Sequence, residues 1–310
     1  MLRRTLLALV VYCGIGFAHA APQVLVVLSE SGGAYREATE TLRSLLQEQG
    51  GVYTLSTVQV NDLSNSVAAE ADILVAVGVR AMEALAQDSI VMGNRPTLNI
   101  LVPRQNFESL RARLKLDAKL FTAIYLDQPL SRHLRLIKQL LPSRSRVGVV
   151  LSSATPERIK ALQHVAREQQ LGLEIEQVSS QEEIIPALKR LLVNDKVLLA
   201  LPDPLVFNKN TAQSILLTAY RAQTPLIAYS KTYVQAGALA AVFSTPAQIG
   251  QQAAELLTRA LQSKNFLLPT AQYPKYFSVS VNYQVGRSMG FDLDDEATLL
   301  DRVKTGAERE

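Results

Sequence analysis

The stretch Leu199-Ala-Leu-Pro-Asp-Pro-Leu-Val-Phe207 decides the fold, together with its later echo, Pro225-Leu-Ile-Ala-Tyr-Ser-Lys231. Each is a short apolar run that stops abruptly at polar or turn-forming residues. A parallel strand buried on both faces has that look where its carboxyl end opens onto a site. Ligands of open α/β sheets collect at those carboxyl ends. Asp203 and Tyr229 are therefore the first candidate functional residues.

Outward from these two runs, strands and helices alternate almost without interruption. Gln23 to Leu28, Val52 to Val60, Asp72 to Gly78, Thr97 to Val102 and Phe121 to Leu126 read as strands. Helices are expected over Tyr35 to Gln49, stopped by Gly50-Gly51, and over Ala81 to Gln87. A second series follows. Leu130, Leu134, Ile137 and Leu141 repeat at helical spacing until Pro142, and Arg146 to Leu151 is a strand. Thr155-Pro156 and Thr245-Pro246 each open a helix, with threonine as N-cap and proline where its missing N–H costs nothing. Ser180 to Glu183 has the spacing of a capping box. Leu173 to Val178, Val197 to Leu201, Leu226 to Tyr229, Ala238 to Phe243 and Tyr276 to Val281 complete the strands, with a helix over Asn210 to Ala222. Strands separated by helices mean parallel sheets with right-handed crossovers. The fold class is α/β, with two Rossmann-like lobes joined first near Tyr125 to Gln128.

Residues 1–20 read as a secretory leader: Arg3 and Arg4, an apolar run from Leu6 to Phe17, then Ala18-His-Ala20 as a small-x-small cleavage site. The run is shorter than the ~20 residues a membrane span needs. The single cysteine, Cys13, falls inside it. Losing Arg3 and Arg4 takes Lys+Arg from 32 to 30 against 28 Asp+Glu, so the mature charge is close to neutral. No basic stripe interleaves with aromatics as a nucleic-acid surface would.

Metal and nucleophile chemistry find no support. His133 and His164 lie on amphipathic helices among charged residues and read as surface side chains. Strand one ends in Ser29-Glu-Ser-Gly-Gly33, which is neither G-x-G-x-x-G nor a P-loop, and G-x-S-x-G is absent from the sequence. No catalytic set, metal or cofactor is expected. Recognition by hydrogen bonds and stacking fares better. The strand ends offer Ser29, Glu30, Ser31, Gly78, Arg80, Tyr125, Asp127, Ser152, Ser153, Asp203, Tyr229 and Ser230. Hydroxyls and helix N-terminal amides suit a carboxylate, an aspartate suits an ammonium, and tyrosine rings offer flat apolar faces with one polar handle. Bland readings stand beside these. Asp203 between two prolines could serve to shape a turn, Ser152-Ser153 to cap a helix, and Tyr229 to fill the core. Arg80 reads as a solvated helix-start residue, and Arg111, Arg113 and Lys115 as the polar face of a helix.

An ordered set of segments carries a resemblance: Leu140-Leu-Pro-Ser-Arg-Ser-Arg-Val-Gly-Val-Val150, Leu201-Pro-Asp-Pro-Leu-Val206, Thr224-Pro-Leu-Ile-Ala-Tyr-Ser230, Gly237-Ala-Leu-Ala240, Ile249-Gly-Gln-Gln-Ala-Ala254, Val281-Asn282 and Gly290. In these the chain resembles the periplasmic substrate-binding components of ABC transporters with the type I fold, in the branch linked to aromatic amino-acid-like ligands. The resemblance implies three crossovers and closure of two lobes on a cleft ligand. It divides the chain into 21–124 with 245–270 as one lobe and 125–244 with 271–290 as the other, after a 1–20 leader and before a flexible 291–310 tail. Asp203 keeps the family's acidic position. Two departures stand out: Gly78-Val79-Arg80 where the family often has Gly-Thr, and Thr122-Ala123 where it often has Thr-Gly.

The expected function is a periplasmic, monomeric solute-binding protein that takes a small polar or aromatic metabolite to a membrane permease. It is expected to be neither an enzyme nor membrane-spanning, and not to bind nucleic acid. The competing expectation, motivated by the two departures, is a ligand-free or sensory interaction module on the same scaffold.

Overall fold

In the computed structural model, residues 21–88, 92–152, 154–192, 196–263 and 265–305 are described. The expected leader, and Ser153 among the expected site residues, lie outside them.

Alternation of buried strands with amphipathic helices produces two sheets. The first holds β1 (Gln23–Leu28), β2 (Thr54–Gln59), β3 (Ile73–Val77), β4 (Thr97–Val102) and β5 (Phe121–Tyr125), all parallel, in the order β2-β1-β3-β4-β5. Its helices are α1 (Gly33–Glu48), α2 (Asn65–Ala69), α3 (Val79–Gln87) and α4 (Arg104–Leu114). The second sheet takes up the chain after helix α5 (Leu130–Leu140). Its strands are β6 (Arg146–Leu151), β7 (Gly172–Gln177), β8 (Lys196–Leu199), β9 (Leu226–Ala228), β10 (Ala240–Phe243) and β11 (Ser278–Val281), ordered β11-β10-β9-β8-β6-β7. Only β11 runs antiparallel. Helices α6 (Pro156–Glu168), α7 (Ile184–Leu191), α8 (Ala212–Arg221) and α9 (Lys231–Gln235) intervene. Helix α10 (Pro246–Gln262) separates β10 from β11, and α11 (Tyr283–Ser288) and α12 (Glu296–Lys304) follow.

Each sheet is covered on both faces, which is why its inner strands are apolar at nearly every position, whereas the edge strands β2 and β7 carry polar residues. In the first lobe, α1 and α10 close one face around Leu42, Val75 and Leu257, while α2, α3 and α4 close the other around Leu74, Met82 and Phe107. In the second, α5, α6 and α12 cover one face and α7 and α8 the other. Helix α10 reaches α1 because residue 250 is glycine. A methyl there would collide with the Ala38 carbonyl oxygen.

Three segments connect the lobes: residues 126–129, residues 244–245, and the chain between α10 and β11. The last does more than connect. Its Gln272 bridges to Ile124 beside β5, donating to Ala123 O at 2.9 Å and accepting from Tyr125 N at 2.9 Å. Among the described residues, no helix is long and apolar enough to cross a membrane.

The two Thr-Pro helix starts form as read: Thr155 and Thr245 accept from Arg158 N (3.3 Å) and Gln248 N (3.1 Å), and Gln248 completes a capping box. Three readings need correction. The Ser180 to Glu183 box does not form, because α7 starts at Ile184 with Glu183 as its N-cap. Pro186 thereby falls in the first turn, where an absent N–H is harmless. The stretch 291–310, read as a flexible tail, contains helix α12, with Leu299 and Val303 fully buried against α5. His133, read as a surface side chain, is 0% exposed. Polar residues of α5 are reached by the tail and the third connection instead of by water: Arg135 donates to Val303 O at 2.9 Å and Arg132 to Pro274 O at 2.6 Å.

Candidate functional site

The Pro-Asp-Pro loop is built around its aspartate. Asp203 Oδ1 accepts from Leu205 N (3.0 Å) and Val206 N (3.1 Å), and Oδ2 accepts from Ser152 N at the end of β6 (2.7 Å). An aspartate that bonds the backbone two and three residues on makes its own turn. Asp203 is 6% exposed, so these bonds are made out of water. Its carbonyl also accepts from Phe207 N at 2.8 Å, and Thr211 Oγ1 donates to Val206 O at 2.6 Å, so the loop leaves β8 in a fixed shape.

That loop delivers Phe207 to Tyr229, which follows β9. Phe207, Tyr229 and Tyr233 form an aromatic triad with ring centroids 6.3, 6.1 and 5.2 Å apart. Ser230 holds the helix carrying Tyr233, accepting from Tyr233 N at 3.4 Å. Tyr229 donates to Phe207 O at 3.4 Å. Burial pushes the Tyr229 phenol well above its usual range. Its neighbour Tyr233 adds to the shift, as do the carboxylates of Asp203 and Asp127. Asp127 stands in the first connection between lobes, so the triad, the loop aspartate and the connection share one electrostatic neighbourhood.

The first lobe contributes a different set. Ser29, nearly buried after β1, accepts from Ala81 N at 3.0 Å and so caps helix α3 from the neighbouring strand. Gly78 precedes that helix at φ +93°, pressed against Ser29 and Tyr35, where a side chain has no room. Arg80 donates to Ser29 O (3.4 Å) and Asn61 Oδ1 (3.1 Å). Glu30 and Ser31 stay exposed on the turn into α1, whose N-cap, Gly32, brings no side chain to its first amides. A hollow of about 460 Å³ beside this turn is lined by Gly33, Ala34, Arg36, Glu37, Thr41 and Pro246; it contains none of the expected site residues.

Between the lobes, Asp127 Oδ2 accepts from Arg104 N at 2.6 Å, supplying the cap that Pro103 cannot give α4. Burial raises the Asp127 carboxyl above its usual range, with that amide and the charges of Arg104 and Arg158 opposing. Tyr125 packs edge-on against Phe107 (5.8 Å) and Tyr273 (5.3 Å) and donates to Glu108 at 2.6 Å. Burial and then this hydrogen bond lift its phenol far above the usual range. For Glu108, burial works upward but is outweighed by the hydrogen bonds from Tyr125 and Arg111, so its carboxyl is held low. The Arg104 guanidinium lies over the Tyr125 and Tyr273 rings, 5.9 and 5.4 Å from their centroids, and bonds the Tyr273 hydroxyl.

Asp203, Ser152, Tyr229, Ser230 and Asp127 are thus drawn into one region, and Ser29 and Gly78 into another. Tyr125 is enclosed, with 5% of its surface exposed. Sequence reasoning missed Phe207, Tyr233, Arg104 and Tyr273 as neighbours of the site. Tyr233 could have been found, because it lies one helical turn beyond Tyr229. Among the described residues, no group of His, Cys, Asp and Glu could hold a metal ion.

The family model for ABC transporter substrate binding proteins matches residues 54–295. The chain belongs to that family. As a substrate-binding protein its two parallel-sheet lobes have the type I periplasmic-binding-protein architecture. A solved domain from Streptococcus pneumonia, in complex with L-Trp, is 16% identical, with a TM-score of 0.60 over 91% of this chain and 98% of that one. The ligand-free, open structure of a Clostridium difficile substrate binding protein with adhesive properties is 14% identical, with a TM-score of 0.69 over 88% of this chain and 96% of that one. A periplasmic ribose ABC transporter structure from Conexibacter woesei is 13% identical, with a TM-score of 0.53 over 89% and 97%. At these identities the likeness shows the fold. No curated protein sequence matches the chain.

Proposed function

We propose that this substrate-binding protein is exported to the periplasm, closes its two lobes on a small polar or aromatic metabolite, and hands it to the permease of an ABC-type uptake system. The observation that carries this reading is the aromatic triad of buried Phe207 with partly exposed Tyr229 and Tyr233 beyond the carboxyl ends of β8 and β9, with the charge of Asp127 in the first connection acting on Tyr229. Rings with phenolic handles suit a flat apolar ligand carrying polar ends, and a nearby carboxylate suits an ammonium. The L-Trp complex of a structural relative makes aromatic amino acids the first compounds to try. Asp203 serves this site by holding Ser152 and the Phe207 loop in place. The protein works as a monomer and performs no catalysis.

Calorimetric and thermal-shift screening of amino acids and related metabolites tests the reading. An aromatic amino acid is expected to raise the melting temperature, and Tyr229→Ala to weaken its binding about tenfold, the effect of losing one stacking contact. Silence from every metabolite would sink it.

One observation favours a second reading, the ligand-free or sensory module. Asp203 and Ser29 spend their oxygens on backbone amides of this chain, and Asp127 commits its Oδ2 to one. A silent screen combined with binding of another periplasmic protein is what that reading expects.

A further inference from the structure

The connections between the lobes are pinned on both sides, and the pins leave little chain free to pivot. On the second-lobe side the pins are almost fully buried: Arg132 is 1% exposed, Gln128 7% and Ser244 8%. Arg132 Nη1 donates to Gln128 Oε1 (2.7 Å) and to Pro274 O (2.6 Å). Gln128 Nε2 donates to Ser244 Oγ (2.8 Å), which donates to Tyr276 O (2.6 Å). One bracket thus clasps all three connections. On the first-lobe side, Gln272 pairs with Ala123 and Tyr125, and Thr122 Oγ1 donates to Pro269 O at 2.6 Å. Leu126 N also donates to Val102 O at 2.9 Å, so between pins the first connection keeps Asp127 and the third keeps Tyr273. Those last two residues are the ones Arg104 holds, through its amide and its guanidinium. Helix α10 tethers the third connection again, where Gln252 accepts from Lys275 N at 2.7 Å and Glu255 from Lys275 Nζ at 3.0 Å. Arg104 differs from that tether in joining the first and third connections to each other.

We infer that Arg104 is a positioning residue for lobe closure, a latch that holds the pivot residues Asp127 and Tyr273 to the first lobe and sets the lobe angle of the ligand-free protein. A guanidinium lying over two rings resists rotation of Tyr273, and on this inference releasing it shifts the balance between open and closed forms. A ligand moves that balance only by its differential affinity for the two forms, so the latch sets apparent affinity without touching the ligand.

The inference rests on the reading of the molecule as a closing binder, and its test needs no ligand. Hydrogen exchange and small-angle scattering compare the ligand-free full chain with Arg104→Ala and Tyr273→Phe. Arg104→Ala keeps the Arg104 N–Asp127 hydrogen bond and removes the guanidinium from Tyr273, so it is expected to speed exchange in 271–276 about five- to tenfold, the loss of one partly desolvated cation–π contact, and to leave 126–128 unchanged. It is also expected to change the radius of gyration. Tyr273→Phe, which keeps the ring, is expected to affect the same stretch by less. Unchanged exchange in 271–276 overturns the latch, as does an unchanged radius of gyration or faster exchange spread evenly over the first lobe. Should Arg104→Ala fail to fold, Tyr273→Phe decides by the same criteria within 271–276. A protein that binds no metabolite can still pass this test, and one that binds a metabolite can still fail it.

Discussion

Asp203 shows how one side chain can look like a ligand group and act as a fastener. From the sequence, its position at a strand end between two prolines left recognition and turn-shaping open. The three amides on its carboxylate give the turn-shaping role a concrete form. Asp203→Ala should cost about 3 kcal/mol in urea unfolding, since buried amides lose a charged acceptor. His133 makes the opposite case. Burial, and then the charge of Arg132, push its imidazole down to about 3, so it stays neutral in the fold. The folded value lies below the unfolded one near 6.5, so the stability it contributes is fully present above about pH 6.5 and drains away as pH falls toward 3. Between pH 7 and 4.5 the wild type should lose roughly 3 kcal/mol more than His133→Leu, read from urea curves at both values. Sequence spacing could not reveal this burial. Ser131, Arg132, His133 and Arg135 look like a polar helix face, and what reaches that helix arrives far later in the chain, from Pro274 and Val303.

Local chemistry made most elements legible. The Thr-Pro starts at 155–156 and 245–246 work because the cap needs only the next three residues, whereas Thr224-Pro225 leads into β9. Strands apolar on both faces announce a covered parallel sheet. Helix α12 was illegible for the complementary reason: its Asp-rich entry and charged end resemble solvated chain, and Leu299 and Val303 acquire meaning only against α5. Its N-cap, Asp295, accepts from Thr298 N at 2.9 Å, a signal present in the sequence but outweighed by the surrounding charge. Leu299→Ala should lower stability by about 3 kcal/mol in chemical denaturation, the usual cost of a fully buried leucine. A change within ±0.5 kcal/mol would show the tail to be ornamental.

The whole molecule turns alternating sequence into two sandwiches because each parallel sheet needs helices on both faces. The alternation announces both sheets but not which helix serves which. Residue 250 decides one case, since its missing side chain lets α10 lie on α1 although 246–262 follows the second lobe's β10. Closure on a solute should register as global stabilisation. Ligand at about 100 times its dissociation constant adds about 2.7 kcal/mol, which at this size raises the melting temperature by several degrees. A melting curve that does not respond to concentration in this way would contradict closure.

The third connection and the tail also finish the margins of both sheets. Gln272 lies along β5, β11 completes the second sheet beside β10, and Glu296 Oε1 accepts from Val281 N at 2.8 Å on β11. A bare sheet margin is a template for joining another chain. Until residues 271–296 have emerged, β5 and β10 present such templates. Newly made chain held in that condition is therefore prone to cluster with its copies, and residues 271–296 cover these two margins, one in each lobe, leaving β2 and β7 as the opposite edges.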